Sequence, residues 1–150
     1  MSNSQATAQD AELILKLYDL RRVSVMREAR NYVAMLSPNS ADDLMEVLFA
    51  FGSKENAYVR HVFGYWEMVA SLIVHGTLNE SLAFDTLGEM YFIYSIVHPF
   101  LDDFRKKANI PDFFKNVQKV VEGSPEGKER MKGVMARRAA MAQQRAAAAK

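Results

Sequence analysis

The stretch Ser53 to Gly76, "SKENAYVRHVFGYWEMVASLIVHG", decides the fold. Val62, Phe63, Trp66, Val69 and Ile73 recur at steps of three and four residues, so the segment reads as one long helix with a buried apolar face. Gly76 supplies its left-handed stop. Beside that face runs a narrow stripe of small and polar groups, Arg60, Gly64, Glu67, Ser71 and His75, where a neighbouring helix can approach closely at Gly64 and Ser71. Glu67 is the one acid set inside the apolar half. A buried carboxylate without a partner is strongly penalised, so a structural ion pair to Arg30 or Arg105, with Arg27 a further candidate, is expected ahead of a catalytic acid.

Working outward, "NESLAFDTLGEMYFIYSIVHPFLDDFRKK" reads as a second long helix, entered at Asn79 or at Thr77 with Glu80 closing a capping box. It is apolar nearly all round from Leu87 to Leu101, and Pro99 is expected to kink it near Ser95. A tight turn joins the two as an antiparallel hairpin. Upstream, Leu13, Ile14, Leu17 and Leu20 place a helix after a cap at Thr7 or Asp10, and the β-branched "RRVSV" predicts a break before "MREARNYVAML" resumes and Pro38 stops it. A short helix follows in "SADDLMEVLFAFG", capped by Ser40 and stopped by Gly52. Downstream of a loop at Asn109 to Pro111 come "DFFKNVQKVVEG" and an Ala-rich terminal helix. No strand pattern or repeat is present. The expectation is an all-α bundle of about five helices around the central hairpin, with residues 1–9 a disordered lead, 10–123 the bundle domain and 124–150 a basic Ala-rich C-terminal helix.

Composition narrows the chemistry. The 150 residues are 49% hydrophobic and 25% charged, ordinary usage for one folded domain. The absence of cysteine removes disulfides, thiolate nucleophiles and zinc-cysteine sites, and suits a cytoplasmic protein. The N-terminal "MSNSQATAQDAE" lacks a basic region followed by an apolar core, so no secretory signal is read there. The apolar run Ala57 to Leu78 is interrupted by Arg60, His61, Glu67 and His75, so no membrane span is expected. The net charge of +1 is unevenly spread: residues 37–123 carry a net charge of minus five and residues 124–150 plus five.

The motifs point away from known catalysis. There is no Glu-x-x-His pair for a di-iron bundle and no His-x-x-x-His among His61, His75 and His98, so no metal or cofactor is implied. Phosphate loops, nucleophile elbows and dinucleotide fingerprints are missing as well. Tyr91, Tyr94, His98 and Asp102 share one helix face, where Asp102 could orient His98 as a base; without a nucleophile or oxyanion donor the cluster reads rather as a hydrogen-bonded aromatic group. In the tail, Arg130, Lys132, Arg137, Arg138 and Arg145 flank an apolar stripe through Met131, Val134, Met135 and Met141. Such a helix can dock on an acidic surface or on nucleic acid, or remain solvated.

At "MREAR", "GYWEMVASLIVHGTLNESLAFDTLGEMYF" and "VHPFLDDFRKK" the sequence resembles a family of small bacterial all-helical domains of unknown function. In that family an Arg-rich first segment precedes an aromatic-Glu helix, a Gly turn and a Pro-kinked helix ending in Arg. The resemblance covers about Asp10 to Phe114 and places Ala29, Arg30, Glu67, Gly76 and Arg105 on characteristic positions. It implies the fold and carries no activity. The leading functional expectation is a non-enzymatic interaction or scaffold domain, oligomerising or docking a protein partner through the Met90 to Leu101 surface and the tail. The alternatives are a nucleic-acid-binding accessory protein using the tail, and an enzyme using Glu67 or His98.

Overall fold

Helix α4, Lys54–Val74, is the axis of the structure, a computed structural model that describes residues 4–150. Ser53 starts it by accepting a hydrogen bond from the Asn56 N–H, and Gly76, at φ +72, ends it. Val59, Val62, Phe63, Trp66, Val69, Ala70 and Ile73 are buried, as the spacing requires. Around this axis pack α1 (Ala8–Arg22), α2 (Ser24–Ala34), α3 (Ala41–Leu48), α5 (Glu80–Thr86), α6 (Glu89–Val97), α7 (Leu101–Ala108), α8 (Lys115–Glu122) and α9 (Pro125–Ala148). The architecture is all-helical. Helix α4 lies against α2 and α8, α3 lies against α7, and α9 covers α6 and α8.

The second arm of the expected hairpin is three helices rather than one, which is why the bundle has more elements than about five. Leu87 leaves helical geometry at φ −116, ψ 47, and Gly88, a poor helix former, starts α6. The break expected from Pro99 falls at the proline itself, where His98–Phe100 form a 3₁₀ turn. Proline has no N–H to return to the carbonyl of Ser95, and a tighter turn absorbs the lost bond. Helix α6 is the buried centre: Met90, Tyr91, Ile93, Tyr94, Ser95, Ile96 and Val97 are all inside.

Helix α1 begins at Ala8, within the lead expected to be disordered, and Met1 to Asn3 lie outside the described residues. Thr7 and Asp10 form a capping box, and the other Asp10 oxygen accepts the Asn79 N–H at 2.7 Å, tying the start of α1 to the start of α5. The break at Val23 falls inside "RRVSV" as expected. Helix α3 stops at Leu48, earlier than the Gly52 stop implies, and Gly52 instead turns the loop at φ +86. Helix α9 joins the core through Met131 and Val134, and a Cβ on its buried Gly127 would stand 2.4 Å from the Val121 carbonyl oxygen. From Ala139 onward it is exposed. No helix of the described residues is long and apolar enough to cross a membrane.

Hydrogen bonds from Thr7 and from the Asn79 amide hold the Asp10 carboxyl below its ordinary value. A depressed folded-state pKa adds stability that is fully present above the unfolded value of about 4 and is lost as pH falls through the folded one. Urea unfolding at pH 7 and pH 3 should therefore show a smaller acid-induced loss of stability for Asp10→Asn than for the native chain; equal losses would refute this role.

Candidate functional site

Glu67 projects from the middle of α4 toward the first turn of α8. Phe114 precedes that turn in the left-handed region at φ 56 and offers no capping side chain. Glu67 takes the cap's place from another helix: its Oε1 accepts from the Asn116 N–H at 3.0 Å and from Asn116 Nδ2 at 2.8 Å, and its Oε2 accepts from the Val117 N–H at 3.1 Å. These are the second and third N–H groups of α8, the ones an N-cap side chain normally receives, and the positive end of the helix dipole favours the charge. The arginine partner expected for Glu67 is thus corrected. Backbone donors at a helix start satisfy a carboxylate as an arginine would, and Phe114, at the cap position, has no side-chain oxygen to compete for them.

Arg30 and Arg105 are engaged elsewhere. Arg30 donates to Glu89 through Nε at 2.9 Å and Nη2 at 2.6 Å, and Arg21 pairs with the same carboxylate. Glu89 raises the Arg30 pKa further above its ordinary value. The Arg21 guanidinium also lies 5.0 Å from the Tyr18 ring centre and 5.2 Å from that of Trp66. Tyr65 closes the cluster by donating to the Leu17 carbonyl at 2.7 Å, and burial pushes its phenol up to about 12. Donors outnumber acceptors here, since Arg21 Nε and Trp66 Nε1 are buried with no acceptor in the protein. Arg105 donates to the Phe113 carbonyl at 3.0 and 2.8 Å, closing the α7–α8 loop, with Asp102 at 3.9 Å. Glu89 and Arg21 were not legible as partners; the one signal is an acid standing alone at the head of an apolar run.

The Tyr91, Tyr94, His98 and Asp102 face does not converge as one cluster. Tyr94 donates to Glu122 Oε1 at 2.6 Å, and His98, edge-on to the Tyr94 ring, has Nε2 3.7 Å from the same oxygen. Asp102 faces Arg105 instead of His98. Burial, reinforced by the Glu122 bond, pushes the Tyr94 phenol well up. Tyr91 sits apart against Phe84, its hydroxyl buried without a partner.

A cleft of about 690 Å³ lies between the Gly76 turn and the start of α9. Glu80 lines it with one buried oxygen unpartnered, and burial raises its carboxyl. Glu126 at its rim is already paired with Arg130 at 2.9 Å. In the tail, Arg130 also donates to the Phe84 carbonyl, and Arg138 donates to the Ser95 carbonyl at 2.6 Å, the group that Pro99 leaves unpaired. Lys132 lies 3.5 Å from Glu129, and Arg145 reaches the Met35 sulfur at 3.8 Å. Arg137 is exposed. The five basic positions therefore do not form one outward face. No group of three or more His, Cys, Asp or Glu side chains suited to a metal ion occurs among the described residues.

Two substitutions separate the two carboxylates. Glu67→Ala leaves two helix-start donors unpaired and should cost about 1–2 kcal/mol, with Glu67→Gln losing less because one oxygen still accepts. Glu89→Gln leaves two largely buried guanidiniums sharing a neutral amide and should cost more, about 3–5 kcal/mol. Chemical unfolding of the three variants tests the order; a Glu67→Gln loss equal to that of Glu89→Gln would contradict the capping role.

No curated protein and no solved structure matches this chain. A family model described as Domain of unknown function (DUF4760) matches residues 6–124, from the cap of α1 to the cap of α9. With that match covering most of its length, and in line with the resemblance carried by the Glu67, Gly76 and Arg105 segments, the chain belongs to this family.

Proposed function

We propose that the chain is a non-enzymatic helical domain that docks a protein partner through the turn between α3 and α4. The observation that carries this reading is Phe51, whose surface is 70% exposed, beside Phe49 at 38%. The two rings meet edge to face at 5.9 Å, and Phe49 stacks on the buried ring of Phe104 at 6.4 Å. Phe104 in turn rests on Phe113 at 4.5 Å. The exposed pair is therefore mounted on core aromatics and presented in a fixed geometry, which lowers the entropy lost on binding and is how aromatic anchors at interfaces work. The Met90 to Leu101 surface cannot serve, because Met90, Tyr91, Ile93, Tyr94, Ile96, Val97 and Leu101 are buried within the chain itself.

The competing readings lose support on the same geometry. Both Glu67 oxygens are taken by hydrogen-bond donors, and His98 faces Glu122 without a nucleophile beside it. Arg130 and Arg138, two of the five candidate basic positions in the tail, are turned onto backbone carbonyls of the bundle.

A photo-crosslinking amino acid placed at Phe51 in intact cells should yield one discrete product, either a second copy or another protein, that disappears when Phe49→Ser is added. The same probe at the exposed Gln143 serves as control. No product from position 51, or the same products from both positions, would overturn the proposal.

A further inference from the structure

A second surface is built from charge rather than from apolar area. Helices α2 and α6 leave a groove of about 390 Å³ floored by Phe92 and Ile93 and walled by Arg27, Arg30 and Asn31, with Glu89, held by Arg30, also in its lining. Beside the groove stands α9, whose Arg138 guanidinium lies 5.8 Å from the Phe92 ring centre and whose Arg145 meets Met35 at the end of α2. The charges do not balance. Arg21 and Arg30 share Glu89, while Arg27 and Arg138 have no carboxylate within ion-pair distance among the described residues. Four guanidiniums against one carboxylate leave this corner three charges positive. Arg138 is partly withdrawn from water with only a neutral carbonyl to accept from it, and that desolvation lowers its pKa. A half-buried cation held without a counter-charge favours an anion that can approach it.

We propose that this groove binds a small molecule bearing a phosphate monoester, with Arg27 and Arg138 holding the dianion and Phe92 lying under the apolar part. The size suits a small ligand, since binding cavities of this kind run from about 300 to 1,000 Å³. Guanidinium forks match the oxygens of phosphate in pairs, and a dianion neutralises an excess of three better than a single carboxylate does. The Arg145–Met35 contact at one end disfavours a long polymer threading through.

The test uses the full chain, with phenyl phosphate as the monoester probe, benzoate as its carboxylate counterpart and a single-stranded oligonucleotide as the polymer, all at constant ionic strength. Amide chemical shifts should move saturably with phenyl phosphate at Arg27, Asn31, Phe92 and Arg138, and the melting midpoint should rise with the same dependence. Arg27→Gln, at an exposed position whose loss leaves folding intact, should weaken binding about tenfold, and Arg138→Gln at least as much. Linear shifts that never saturate, equal affinity for benzoate, a response only to the oligonucleotide, or unchanged affinity in Arg27→Gln would each overturn the assignment. A failure here leaves the Phe51 docking surface untouched, because the two sites share no residue.

Discussion

The bonds between the end of one helix and the side chain of another are what the rest of this structure depends on. A chain cut into short helices has many termini, each presenting N–H or C=O groups that its own helix cannot pair. Here neighbours supply the missing partners. Asp10 from α1 receives the Asn79 N–H at the start of α5, and Glu67 from α4 receives two at the start of α8. Asn56 from α4 donates to the last carbonyls of α3, at 3.1 Å to Val47 and 2.8 Å to Leu48. Tyr18 donates to the Thr86 carbonyl at the end of α5, and Arg138 donates to the Ser95 carbonyl freed by Pro99. Each bond closes a terminus and fixes the distance between two helices, so local and tertiary structure are stabilised together.

The same logic explains why polar residues are tolerated near an apolar centre. Glu89 stands at the head of the most buried helix, where the dipole favours an acid, and two arginines from α1 and the second helix neutralise it. Removing Glu89 would leave two positive charges facing each other in a poorly solvated place, which is why the carboxylate holds the cluster together although the ion pairs add modest net stability. Trp66 and Tyr65 pack around it and keep water away from the guanidinium of Arg21.

How much of this was legible in the sequence follows from the range of each interaction. Caps lying within three residues of the groups they serve could be read from local spacing, Ser40 outright, Thr7 beside Asp10 and Asn79 beside Thr77, and Thr7, Ser40 and Asn79 all cap in the structure. The buried face of α4 was legible because a helical period is local. Glu67 was correctly singled out as an acid needing a partner, but the partner lies about fifty residues away, and spacing cannot distinguish an arginine from a pair of backbone N–H groups. The division of the second arm failed for a related reason. Apolar continuity from Leu87 to Leu101 signals burial, and burial is indifferent to whether the backbone is one helix or several. Pro99 was the expected breaker and marks one interruption, and Gly88, not read as a breaker, marks the other.

The tail shows where composition misleads. Ala-rich and basic, it reads as an appendage, and the family match ends at residue 124, before α9 begins. Yet Met131 and Val134 are part of the core, Gly127 lets α9 come within contact of the Val120 and Val121 carbonyls, and Arg138 completes the break at Pro99. Without α9, the apolar side of α8 and the outer side of α6 would face water, and the Ser95 carbonyl would lose its donor. The first half of α9 is thus structural, while the exposed half from Ala139 buries no side chain and touches the bundle through Arg145 on Met35. Alanine's high intrinsic helix propensity is sufficient reason for that half to remain helical in solvent.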